Sequence, residues 1–193
     1  WDYSGGLMIG QAAHIVDAVS LLHSMAEGER PMLGRRVVVY GGGNTAMDAA
    51  RTAKRLGATD AVVVYRRTRE QMPAHDIDVE EAREEGVLIK WLSTVQHADA
   101  GTLVLERMEL DATGFPQPTG ELEELDADTL VLAIGQEADL ALLEGVPGVA
   151  VADGTVQVGP DMMTGHPGIF AGGDMVPADR AVTTGIGHGK RAA

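Results

Sequence analysis

The chain has 193 residues, a formal charge of −14, 45% hydrophobic residues and no cysteine. That length suits one large domain or one and a half small ones, and the charge speaks against a broad basic face for nucleic acid. The lack of cysteine removes disulfide frameworks, thiolate zinc sites, cysteine-held iron–sulfur clusters and dithiol redox pairs from within the chain. No apolar run is long enough to span a membrane as a helix, and no secretory signal opens the sequence, so the expected address is the cytoplasm. The start at Trp1 and the end at Gly189-Lys190-Arg191-Ala192-Ala193, inside a helical stretch, read as those of a domain from a longer protein.

In chain order, Ala12 to Ala26 carries Ala12, Ile15, Val16, Val19, Leu22 and Met25 at helical spacing and is predicted as an amphipathic helix. Val37 to Tyr40 is a short β-branched strand of the kind buried on both faces in a parallel sheet. Thr45 to Leu56 is predicted helical, with Arg51, Lys54 and Arg55 toward its negative end and Gly57 as the stop. Ala61 to Tyr65 is a second buried strand, Pro73 opens a helix running to Glu85, and Val87 to Leu92 is a third strand. This βαβαβ order is the mononucleotide-binding half of a doubly wound sheet. Beyond Leu92 the partial alternation of 102–110 and the turn-rich Asp111 to Pro116 predict an antiparallel ribbon with loops near Gly101 and Gly114. Thr129 to Ile134 returns to the main sheet, and Gly135 to Pro167 is rich in loops. The acidic clusters Glu80-Glu81, Glu84-Glu85 and Glu121-Glu123-Glu124 read as solvated faces.

Two glycine-rich signatures carry the functional reading. Val37-Val38-Val39-Tyr40-Gly41-Gly42-Gly43-Asn44-Thr45-Ala46 is a strand turning through G-x-G-x-x-A into a helix. Such a turn needs one glycine for the bend, one for backbone approach to a pyrophosphate, and a small third residue for helix–strand packing. Free N–H groups at the helix start then face the phosphates. An NAD site carries an acidic side chain after the second strand, but here Tyr65-Arg66-Arg67 stands in that place. Guanidinium groups suit the 2′-phosphate of NADPH, with charge-assisted hydrogen bonds worth about 1.5–3 kcal/mol each. A net ~2–3 kcal/mol corresponds to about 30- to 150-fold in affinity. The bland alternative puts both arginines on the surface, pairing with Glu70 or Asp76. The second signature is Gly168-Ile169-Phe170-Ala171-Gly172-Gly173-Asp174.

Gly41-Gly42-Gly43-Asn44-Thr45-Ala46-Met47-Asp48-Ala49-Ala50-Arg51, Tyr65-Arg66-Arg67, Met72-Pro73-Ala74 and Glu84-Glu85-Gly86-Val87 together resemble the small subunit of glutamate synthase. Related NAD(P)H-dependent, iron–sulfur-linked flavoproteins of the pyridine nucleotide-disulfide oxidoreductase-like superfamily share these strings. The resemblance runs from Gly34 to Ala193. It implies an α/β fold: a Rossmann-like parallel sheet with an antiparallel β-ribbon insertion, plus the C-terminal edge of an FAD-binding domain. Residues 1–33 would be an N-terminal helix and linker from the FAD domain, 34–135 the NAD(P)H-binding domain, and 136–193 the C-terminal part of the FAD domain. By the same resemblance Gly41, Gly42, Gly43, Asn44, Thr45 and Ala46 would hold pyrophosphate, and Arg66 and Arg67 the 2′-phosphate. Ala133, Ile134 and Gly135 would cross back toward the flavin near the nicotinamide. Gly173 and Asp174 would meet the ribityl and pyrophosphate region of FAD, and Ala181, Val182 and Thr183 would approach its ring. The family often has a proline soon after Ala-Ile-Gly, where this chain reads Glu137-Ala138-Asp139. The FAD-binding Rossmann turn and the cluster cysteines of the family have no counterpart in these residues, so the implied partners are FAD-binding and iron–sulfur segments of a parent protein and an acceptor subunit.

Rival classes fit less well. A thioredoxin-reductase-like enzyme would need a cysteine pair, a short-chain dehydrogenase Tyr-x-x-x-Lys, and a P-loop NTPase Gly-Lys-Ser/Thr, where Gly189-Lys190 runs into Arg191. A non-catalytic NAD(P)-binding regulatory module would explain the first signature and leave the second unaccounted for. Hydride transfer between nicotinamide and flavin asks the protein for orientation and exclusion of water, so no general acid or base is named. None of the six histidines has metal-ligand spacing; His188, on the last helix, is the one of interest.

Overall fold

The β-branched runs of the first half build a parallel sheet because their side chains are apolar on both faces. In the computed structural model, which describes the backbone of residues 8–9 and residues 14–135 and 138–193, five strands form that sheet. They are β2 (His14–Asp17), β3 (Arg36–Tyr40), β4 (Asp60–Val64), β5 (Leu88–Lys90) and β9 (Thr129–Leu132), in the order β2-β9-β3-β4-β5. All neighbours are parallel. A second sheet holds β1 (Met8–Ile9), β6 (Ser93–Asp99), β7 (Thr102–Leu110) and β8 (Pro116–Asp126) in that order, with β6, β7 and β8 antiparallel. The turns at Gly101 and Gly114, both at positive φ, are those expected.

One face of the parallel sheet takes helices, the other the ribbon. Val37, Val39 and Val63 pack on α1 (Ala18–Ala26), α2 (Asn44–Arg55) and α3 (Asp76–Glu84). Val38, Val62, Val64, Leu130 and Leu132 pack on Val95, Leu103 and Leu105 of the ribbon. The sheet-facing side of α2 is Ala46, Ala49, Ala50 and Ala53, all fully buried, so the helix lies close to the strands.

Two expectations need correction. The stretch expected to be helical from Ala12 to Ala26 is a strand over His14–Asp17 and a helix only from Ala18; Ala12 itself lies outside the described residues. Ile15 and Val16 pair with Leu130 and Val131, and sheet pairing outweighs local spacing for β-branched residues. Asp17 then caps α1, its carboxylate accepting the Ser20 N–H at 2.9 Å. The helix expected from Pro73 starts at Asp76, because Ala74 N–H donates to Gly42 O (3.0 Å) and His75 N–H to Asn44 Oδ1 (2.9 Å). Those bonds tie Ala74 and His75 to the glycine turn, with His75 extended, before the helix can begin.

By contacts the chain divides into residues 1–135 and residues 136–193. The second unit has a short hairpin, β10 (Val151–Ala152) with β11 (Thr155–Val156), a 3₁₀ turn at Gly173–Met175, and α4 (Val182–Ala192). Its small core is Val156, Ala171 and Val176, with Leu140 and Leu143 against it.

Candidate functional site

Chain order reverses between β3 and β9: β4 and β5 lie to one side of β3, and β9 to the other. Such a switch point opens a crevice at the carboxyl ends of the strands. The turn Gly41–Gly43 leaves β3 there, and Ala133–Gly135 leaves β9 beside it, with Ala133 N–H donating to Tyr40 O at 2.8 Å.

Each glycine of the turn has its own reason. Gly41 sits at φ +148, and a Cβ on it would run into the carbonyl of Ala133. A Cβ on Gly42 would strike the Tyr65 ring, which is 9% exposed and tied by its hydroxyl to Gln71 O at 2.8 Å. Gly43 meets nothing within 4 Å. It is the N-cap of α2, at φ −89, and no side chain caps the helix there. So the first two glycines let strands and ring close up, and the third leaves the start of the helix open. Ala46, fully buried, fills the small-residue position against the sheet. Asn44 is partly used in support, its Oδ1 accepting the His75 N–H. An open N-terminus with helical N–H groups is the arrangement a pyrophosphate requires, and the Gly43 end of the turn leaves the start of α2 without a side-chain cap.

The two arginines differ. Tyr65 brings the end of β4 under Gly42, so Arg66 and Arg67 follow within two residues of the turn's neighbour. Arg66 is exposed and pairs with no carboxylate among the described residues. Arg67 is half-buried, with its guanidinium 6.0 Å from the Phe115 ring centroid. Its Nε is enclosed, with no hydrogen-bond partner among the described residues. The surface-pairing alternative falls instead on Arg69, which binds Asp76 at 2.7 Å. The acidic face of α3 is likewise only partly a solvated one: Arg51 binds Glu81 and Glu85, both at 2.8 Å. The flanking guanidinium groups of Arg55 and Arg51 hold the Glu85 carboxyl below its ordinary range.

Of the remaining predicted positions, Ile134 is exposed and Gly135 has φ +105, while Glu137 lies outside the described residues. In the second unit, a Cβ on Gly172 would lie 2.8 Å from that of His188, and nothing would stand within 4 Å of one on Gly173. His188 is buried and its Nδ1 accepts the Gly173 N–H at 3.0 Å. This binds the Gly173-Asp174 turn to α4, whose start at Ala181, Val182 and Thr183 is exposed and has no side-chain cap. The sequence drew attention to His188 without showing its partner. It missed Tyr65, Gln71 and Phe115, whose contacts cross between elements. Among the described residues no group of three or more His, Cys, Asp or Glu could hold a metal, and no helix is long and apolar enough to cross a membrane.

The fold is that of thioredoxin-reductase-like α/β oxidoreductases: thioredoxin reductase from Lactococcus lactis superposes with a TM-score of 0.70 at 22% identity, over 96% of this chain and 62% of that one. Residues 6–192 match the pyridine nucleotide-disulphide oxidoreductase family, and the chain belongs to it. It is 40% identical over 191 residues to the beta subunit of NADP(+)-dependent formate dehydrogenase from Moorella thermoacetica, covering 92% of this chain and 27% of the relative. It is 41% identical over 174 residues to a putative glutamate synthase (NADPH) small chain from Cereibacter sphaeroides, covering 83% of this chain and 42% of the relative. The chain therefore spans less than half the length of these relatives.

Proposed function

We propose that the chain is the nucleotide-binding portion of a flavin-dependent oxidoreductase that passes hydride from NADPH to FAD and on to an iron–sulfur or other acceptor, as in the glutamate synthase small subunit. The observation that carries this is the turn at the β3/β9 switch point, open at Gly43 and followed across the sheet by the exposed Arg66, which pairs with no carboxylate among the described residues. Residues 34–135 take the NADPH, and 1–33 and 136–193 belong to the FAD-binding part. The relatives' names and the chain's small share of their length support a parent protein that supplies the rest of the flavin site, the iron–sulfur segment and a route to an acceptor subunit. The chain alone would bind NADPH and turn over poorly, in the cytoplasm.

With both cofactors bound, the nicotinamide supplies the hydride and the flavin accepts it. The chain's own work is orientation. The N–H groups at the start of α2 hold the pyrophosphate, with the helix dipole favouring its charge. Arg66 and Arg67 grip the 2′-phosphate, and Ala133, Ile134 and Gly135 line the way to the nicotinamide. Gly173 and Asp174, with the start of α4 at Ala181 to Thr183, serve the flavin, and His188 keeps the two segments together.

Calorimetric titration of the 193-residue chain with NADPH and NADH at one salt concentration tests the reading. NADPH should bind at least tenfold tighter, and Arg66→Ala should remove most of that margin, since a charge-assisted hydrogen bond is worth about 1.5–3 kcal/mol. Equal binding of the two nucleotides would overturn the cofactor assignment.

A further inference from the structure

The loop after β4 and the tip of the β7–β8 ribbon meet although about forty residues separate them. Arg67 lies against the Phe115 ring, and Gln71 Nε2 donates to Gly114 O at 3.0 Å. Since a carbonyl only accepts, this bond fixes which end of the Gln71 amide faces the ribbon. Tyr65, the residue beneath Gly42, ties the same loop down through its bond to Gln71 O. Three contacts thus link the glycine turn, the arginine loop and the ribbon tip.

The tip is braced from within. Asp111 Oδ1 accepts from Thr113 N (2.8 Å), Thr113 Oγ1 (2.6 Å) and Phe115 N (3.0 Å), and its Oδ2 from Gln117 Nε2 (3.1 Å). Gly114 is at φ +79, and a Cβ there would press on Gln71 Nε2 at 3.1 Å. This much ordering is not needed to fill a core, because the Phe115 ring remains 51% exposed. What the ring does cover is a guanidinium whose Nε is shut away without a partner among the described residues. Enclosed unsatisfied donors are uncommon in folded chains, and this one leaves only the terminal nitrogens of Arg67 to bind an anion. Arg66, by contrast, is exposed.

We infer that the Asp111–Phe115 turn positions Arg67 for the 2′-phosphate, and so makes the ribbon tip a determinant of the choice of NADPH over NADH; this rests on the reading of Arg66 and Arg67 given above. Arg66 contributes charge, while Arg67 contributes geometry set in advance by Phe115. Phe115 is a positioning residue: it acts on the ligand through the arginine. An arginine already held by a ring face loses less rotamer freedom when it binds.

The test uses the 193-residue chain and the adenosine end alone, with 2′,5′-ADP and 5′-AMP as probes in calorimetry, so neither flavin nor turnover enters the readout. Phe115→Leu keeps apolar bulk and removes the ring face. It should weaken 2′,5′-ADP about two- to fivefold, leave 5′-AMP unchanged, and be reversed by Phe115→Tyr. Gln71→Ala, which cuts the second tie to the tip, should act in the same direction with the melting temperature as a check on folding. If both probes weaken equally, or if neither moves in either variant, the inference is overturned. Arg66→Ala and Arg67→Ala separate the two failures. If they selectively weaken 2′,5′-ADP while the Phe115 and Gln71 variants do not, only the ribbon's role falls. If they also fail to discriminate, the 2′-phosphate reading falls with it.

Discussion

Three adjacent glycines that look alike in sequence should give three different results when each is changed to alanine. In Gly41→Ala the new methyl meets the Ala133 carbonyl at a φ of +148. Backbone strain of that kind costs about 1–3 kcal/mol, and crowding between two strand ends a similar about 1–3 kcal/mol. For a chain of this size each kcal/mol lowers the melting temperature by about 2–4 °C, so a fall of about 5–20 °C is expected. Gly42→Ala meets a side chain, but Tyr65 is buried and held by its hydroxyl, so it cannot swing clear; about 1–3 kcal/mol of overpacking is expected. In Gly43→Ala the methyl enters open space at φ −89. There the modest preference for glycine over alanine at an N-cap is offset by the lower entropy of the unfolded chain. Its melting temperature should stay within about 2 °C of wild type. Its NADPH affinity should nonetheless fall at least about tenfold, because the methyl stands where backbone must approach the pyrophosphate. Thermal melts and calorimetry on the three variants decide the matter. If Gly43→Ala binds NADPH as tightly as wild type, or if Gly41→Ala is as stable as Gly43→Ala, the account of this turn is wrong.

Two further tests probe other parts of the chain. Asp128 accepts the backbone N–H groups of Arg35 and Arg36 at 2.8 and 2.9 Å and pairs with the Arg36 guanidinium at 2.7 Å. These bonds, the Arg36 guanidinium first, hold its carboxyl at about 2, below the roughly 3.9 of an unfolded chain. The stability it contributes is therefore complete above about pH 4 and lost as the pH falls toward about 2. Asp128→Asn should lower the urea midpoint at pH 6, and its curve should close on wild type as the pH falls to about 2; parallel curves would refute the assignment. In the second unit, His188→Leu leaves the part-buried Gly173 N–H without its acceptor, a loss of about 0.5–1.5 kcal/mol. Hydrogen exchange at Gly173 should accelerate with little change in the first unit, and His188→Asn should restore part of the protection; unchanged exchange would show that the contact carries no stability.

The readable parts of the fold are those where one residue type has one physical use. Val37–Val39 and Ala61–Val64 announce buried parallel strands because a sheet covered on both faces leaves no polar position. The G-x-G-x-x-A turn is likewise legible, since its spacing follows from the bend and the packing of Ala46. The misread parts are those where a distant partner decides. Ile15 and Val16 satisfy a helical pattern but gain more as the edge beside β9. Pro73 suggests a helix start, yet Ala74 and His75 are drawn out by Gly42 and Asn44.

The candidate site divides along the same line. Its existence could be read from Gly41 to Ala46 and from two arginines standing where an NAD site carries an acid. What makes one arginine different from the other could not, because Phe115 reaches Arg67 from the far end of a ribbon whose local pattern speaks only of strands and turns. The same holds for the glycines. The family resemblance puts all three at the pyrophosphate, while the contacts give Gly41 to Ala133, Gly42 to Tyr65, and only Gly43 to open space. A motif of this kind therefore mixes residues that build the cradle with residues that touch its contents. Substitutions at the first sort report on folding before they report on binding, so loss of NADPH binding in Gly41→Ala would say little about contact with the nucleotide. Gly43 and Arg66 are where binding can be changed with the fold left intact.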